Sequence, residues 1–126
     1  MTLVEPTMIG LSEEAHAKLK QLQDEGHFRQ MADAYRFAIG LALAQGIVPP
    51  SISSKTVYSV GTVDPDQSIK TMIQALMGEH LKDVPVYNMA ERLADWGIKE
   101  LHAQAANGEI DVVAIFDQLE AKSTGL

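Results

Sequence analysis

From Met31 to Gln45 the chain reads MADAYRFAIGLALAQ, and only Asp33, Arg36 and Gln45 interrupt its apolar and small residues. A helix apolar on nearly all sides must be buried on nearly all sides. A chain of 126 residues rarely surrounds such a helix alone, so the pattern predicts that part of it meets a second copy of the protein. Ala34, Ala38, Gly40 and Ala42 are the candidate contact residues, because small side chains let two helix backbones approach closely. The alternative is a monomeric bundle with this helix at its centre. Asp33 and Arg36, three positions apart, can pair on its one polar stripe.

The flanking pattern predicts further helices. Ser12 can cap a helix whose first turn carries Glu13 and Glu14, and Ala15, Leu19 and Leu22 recur on its inner face before Gly26 ends it. Gly46, Pro49 and Pro50 stop the central helix, and residues 47–66 read as an ordered loop with a short strand at 56–60. Asp64 and Pro65 read as the start of a third helix, with Ile69, Met72, Ile73, Leu76 and Met77 on one face. After an extended link VPVY, Asn88 and Glu91 have capping-box spacing for a fourth helix that ends at Asn107 and Gly108. Ile110, Val113, Phe116 and Leu119 outline a last one. The expectation is an all-α, five-helix compact domain over residues 1–126, with an extended segment at its N-terminus and three further helices within 67–121.

Composition narrows the function. Ten Lys and Arg against seventeen Asp and Glu give a net charge of −7, which argues against a broad basic groove for nucleic acid. Residues 1–50 carry four bases and six acids, the rest six and eleven, so phosphate contact is expected in the N-terminal part. There is no cysteine, which removes disulfides, thiolate zinc sites and cysteine nucleophiles. The N-terminus has no signal-peptide pattern and no apolar run long enough for a membrane span, so the expected location is cytoplasmic, without membrane contact.

Candidate chemistry is sparse. His16, His27, His80 and His102 stand singly, without the spacing of a helical zinc site, and no glycine-rich phosphate loop or GxSxG elbow is present. Ser51, Ser53 and Ser54 lie in the long loop, where serine suits turns. Asp64 and Asp66 could share a cation but fit a helix start better. Trp96 could stack on a base, although a core or subunit-contact role is the commoner use of a lone tryptophan. The expectation is a non-enzyme with no catalytic residue, metal or cofactor.

Segment 1–46 resembles a ribbon-helix-helix unit: a strand TMIGLS, a helix EEAHAKLKQL and a second helix MADAYRFAIGLAL. The resemblance implies a strand that pairs with its twin in a dimer and turns Pro6, Met8 and Gly10 towards DNA. None of these side chains can make a base-specific hydrogen bond. More of the chain is similar to the DndE family of the bacterial DNA phosphorothioation system. LSEEAHAKLKQL, IGLALAQGIVPP, YSVGTVDPDQSIKTMIQALM and RLADWGIKELHA carry that likeness, by order and spacing. It implies a small helical homotetramer, with a dimer as the alternative, without a catalytic site, that binds nicked double-stranded DNA through surface lysines and works with other proteins of an anti-phage complex. Lys18, Lys20, Arg29 and Arg36 are the N-terminal bases available for DNA. The alternatives are a ribbon-helix-helix transcriptional regulator and an acidic protein-interaction module that does not touch nucleic acid.

Overall fold

A computed structural model describes residues 4–106. Strand β1 (Met8–Leu11) runs into helix α1 (Glu13–Asp24), and a short link leads to α2 (Met31–Gln45). Strand β2 (Lys55–Ser59), the single turn α3 (Val60–Val63), α4 (Ser68–Met77) and the long α5 (Val86–Ala106) follow. The architecture is mostly helical with one two-stranded antiparallel sheet. The strand expected at 56–60 is β2, one residue earlier, and the turn α3 was not expected. The helix expected at 110–119, and the stop at Asn107 and Gly108, lie outside the described residues.

Local signals act as the sequence implies. The Ser12 hydroxyl accepts the Ala15 N–H at 3.2 Å, and Ala15, Leu19 and Leu22 are buried. Gly46 closes α2 at φ 69°, a left-handed conformation that glycine adopts without steric cost. Two predicted helix starts differ. Asp64 does cap a helix, but α4 begins only at Ser68, and its carboxylate reaches the N–H groups of Ile69 (2.9 Å) and Lys70 (3.0 Å). The capping box at Asn88 and Glu91 does not form. Helix α5 starts earlier, at Val86, and Glu5 accepts the Val86 and Tyr87 N–H groups at 2.9 and 3.0 Å.

The core is one cluster of buried side chains from β1, α1, α2, α4 and α5, with Val63 of α3. Its centre is the crossing of α2 and α5. A Cβ on Gly97 would stand 2.1 Å from the Ala38 carbonyl oxygen, so the two backbones touch where both residues are small. The burial demanded by α2 is thus largely met within one chain. Ala34, Ala38 and Ala42 are fully buried there, and Gly40 is half-buried.

The ribbon is also built within one chain, which corrects the twin-strand expectation. β1 pairs with β2, Ile9 opposite Tyr58 and Leu11 opposite Lys55, with an irregularity between Ile9 and Gly10. Its other edge is occupied by side chains. The Gly10 N–H donates to Glu91 (3.0 Å), the Ser12 N–H donates to Asp95 (2.7 Å), and the Gly10 carbonyl accepts the Tyr35 hydroxyl (2.9 Å). A strand with both edges bonded cannot add a twin without breaking one set. Of the residues expected to face DNA, Met8 is exposed while Gly10 is buried.

Candidate nucleic-acid interface and the buried carboxylates

The four N-terminal bases separate into two pairs. Lys18 lies 3.1 Å from Glu14, one helical turn back, and Arg36 pairs with Asp33 while donating to the Thr62 carbonyl at 3.3 Å. Both cations have an acid beside them. Lys20 and Arg29 are exposed, and among the described residues neither side chain enters a hydrogen bond or ion pair. Gln23 lies one turn after Lys20 on the same side of α1, and its amide donates to the Arg29 carbonyl at 3.1 Å. The two uncompensated cations therefore flank the α1–α2 junction.

The small residues of α2 also divide. Ala34, Ala38 and Ala42 face the chain's own core, where α5 leaves them no exposed surface. Gly40 shares the outer stripe of α2 with Asp33, Arg36 and Phe37, and Phe37 stacks in a tilted arrangement on Phe28 at 5.5 Å. Trp96 is half-buried on α5 and packs against the core.

Four carboxylates absorb long-range structural duties. Besides Glu5 at the head of α5, Asp64 accepts the Tyr87 hydroxyl at 2.8 Å as well as its two helix amides. Burial first, and then Asp64, pushes the Tyr87 hydroxyl well above the ordinary tyrosine range. Glu91 and Asp95, one turn apart on α5, hold β1; Asp95 is 2% exposed and also pairs with Lys99 at 3.0 Å. Lys99 reaches Glu14 at 3.7 Å, so an ion-pair chain runs from Lys18 through Glu14 and Lys99 to Asp95. The Asp95 hydrogen bond raises Lys99, and the Lys18 hydrogen bond lowers Glu14. Burial raises Glu91, opposed by the Gly10 N–H, the Ser54 hydroxyl and the Arg92 charge.

Sequence reasoning missed Glu5 and Asp95, and it gave Glu91 a capping role in place of its hold on Gly10. For the last two a signal existed: they interrupt the apolar face marked by Met89, Ala90, Leu93, Ala94 and Ile98 at positions a helix must bury. Behind Glu91 lies a cleft of about 150 Å³ between Ser51–Ile52 and the start of α5, also bordered by Asp83, Pro85, Asn88 and Arg92.

The other singled-out residues stay apart. His27 lies 3.6 Å from Glu25, and His102 shares a 2.8 Å hydrogen bond with Gln21. Among the described residues no group of three or more His, Cys, Asp and Glu could hold a metal ion. Asp66 accepts the Ser68 N–H at 3.1 Å, in keeping with a helix start. The Tyr58 hydroxyl is buried without a partner among the described residues, and burial pushes it to about 12. No helix among these residues is long and apolar enough to cross a membrane. Comparison with protein-family models, curated proteins and solved structures finds no match to this chain.

Proposed function

We propose that this chain is a non-catalytic, homo-oligomeric component of a DNA phosphorothioation system or of related anti-phage DNA-modification machinery, and that it touches duplex DNA at the α1–α2 junction. The four DndE-like segments support the first part. LSEEAHAKLKQL covers all but the last two residues of α1, IGLALAQGIVPP leaves α2, the third segment covers α3 and α4, and RLADWGIKELHA lies in α5. The observation that carries the DNA contact is the pair of exposed, uncompensated cations Lys20 and Arg29. Two cations per chain are few for a net charge of −7, so the reading needs several copies to gather them into one patch.

Fluorescence anisotropy with matched intact and nicked duplexes, over a salt series, tests this reading. The expected result is tighter binding to the nicked duplex, an affinity that falls as salt rises, and loss of binding in Lys20→Glu/Arg29→Glu. Each phosphate contact removed should flatten the log–log salt slope by about 0.9. Binding unchanged in the double variant would move the contact elsewhere. No binding to either duplex at low salt would leave a second reading, a protein-interaction module. That reading is favoured by Lys18 and Arg36, whose charges are met by Glu14 and Asp33 of the same chain.

A further inference from the structure

The ends of α2 and α4 leave a groove between them. Gly46 stops α2 in a left-handed conformation, and the Ile47 N–H returns to the Ala42 carbonyl at 3.2 Å, so Ile47 and Val48 follow close on the last turn. Helix α4 ends at Met77, and a short turn at Gly78–His80 follows it. The groove between these two ends encloses about 90 Å³. Buried Leu43 and Met77 form its floor, half-buried Ile47 and Leu76 its walls, and Val48, 50% exposed, and the exposed His80 its rims. His80 is the one polar side chain among the described lining residues. A phosphate or a sugar would lose water here and find a single side chain to bond. An apolar side chain suits the groove, because it and the walls leave water together.

The chain carries such side chains itself. Beyond the described residues, Val112, Val113, Ile115, Phe116 and Leu119 recur at the spacing of one helical face, with Asp111 and Asp117 on the other side. A face of this kind needs an apolar surface to lie on. Its starting point is set by α5, which ends at Ala106. His102, one turn earlier, shares a 2.8 Å hydrogen bond with Gln21 of α1, and Gln23 of α1 donates to the Arg29 carbonyl at the entry to α2. The end of α5 and the start of α2 therefore lie near one another, beside the end of α1. From there the 15 residues of α2 rise about 22 Å to the groove. Residues 107–119 span about 20 Å as a helix and about 43 Å when extended, so Phe116 and Leu119 are within reach of it. We propose that the groove receives the apolar face of residues 110–119 of the same chain, with Phe116 and Leu119 set between Ile47 and Leu76. The segment is a strap over the open end of the core, with Asp111 and Asp117 in water. The proposal is independent of the DNA contact, since neither Lys20 nor Arg29 borders the groove.

The chain has no cysteine, so introduced pairs report on this contact alone. The test treats full-length Val48→Cys/Phe116→Cys and His80→Cys/Leu119→Cys, each with one partner on an exposed rim, with a short bismaleimide. The expected result is a cross-link within one chain in at least one pair, read by denaturing mass spectrometry as loss of both thiols at the mass of a single chain. Hydrogen exchange in full-length Phe116→Asp gives a second readout. The Ile47 N–H should exchange about tenfold faster or more, while the Gly10 N–H, held by Glu91, keeps its rate. Cross-links that join two chains would give the groove to a second copy and overturn the assignment. Thiols left free in both pairs, or an unchanged rate at Ile47, would overturn it as well.

Discussion

Asp95 is a charged residue with a structural role. It is nearly fully buried, accepts the Ser12 N–H at 2.7 Å and holds Lys99 at 3.0 Å. Asp95→Ala leaves the Ser12 N–H without its acceptor, while Lys99, partly exposed, keeps Glu14, and it should cost about 1–3 kcal/mol, the range for a buried donor left unsatisfied. Urea denaturation measures this, and a loss below about 1 kcal/mol would show that water replaces the carboxylate. Glu91 gives a pH prediction of definite sign. Its folded carboxyl is raised by burial, so the folded state holds that proton more tightly than the unfolded state. Its contribution is therefore fully present below the unfolded value and is lost as pH rises through the folded one. Glu91→Gln does not titrate, so its stability relative to the native chain should rise as pH climbs from the unfolded carboxyl's value through the raised, folded one. A constant difference across that window would contradict the assigned burial. The apolar face signalled the burial of Glu91 and Asp95, but their partners were not legible, because those lie 81 and 83 positions away. Ser12 and Gly46, whose partners are within one or two turns, were legible for the opposite reason.

At the scale of elements, the crossing of α2 and α5 decides the fold. Alanine is the better helix former by about 1 kcal/mol, yet Gly97→Ala should destabilise the chain by about 1–3 kcal/mol or more. The added methyl meets the Ala38 carbonyl oxygen at 2.1 Å, and a backbone cannot yield as a flexible side chain can. Thermal unfolding of this one variant distinguishes the two effects by sign. The capping of α5 by Glu5 is testable by hydrogen exchange. Glu5→Ala should speed exchange at Val86 and Tyr87, with α4, capped separately by Asp64, unaffected. The apolar period of α1, α4 and α5 was readable because each helix buries a face long enough to show it, and α2 was readable because it is apolar on nearly all sides. The two strands were harder to read, since β1 has four residues and takes one edge of its bonding from side chains. The turn α3 is a single turn that no period can reveal.

For the whole molecule, the net charge of −7 changes meaning once the acids are placed. Glu5, Asp64, Glu91 and Asp95 hold the fold together, and Glu14 and Asp33 meet local cations, so a share of the acidity is structural. The candidate DNA residues were legible as residue types, but their division into paired and unpaired cations depends on side-chain geometry that spacing alone does not give. Assembly is then the hinge of the functional account: a single chain offers two uncompensated cations at the junction, and several copies could present a patch. The face of α2 left for such a contact is the stripe of Gly40 and Phe37, since Ala34, Ala38 and Ala42 are enclosed by the chain itself. Gly40→Leu should therefore reduce the assembled mass in light scattering, and an unchanged mass with normal stability would place the contact elsewhere. The most direct measurement is the mass of the native chain in solution by light scattering. The account predicts four times the 13.7 kDa of one chain. A mass of one chain, constant with concentration, would contradict the homo-oligomeric reading and remove the means by which so acidic a protein could grip DNA.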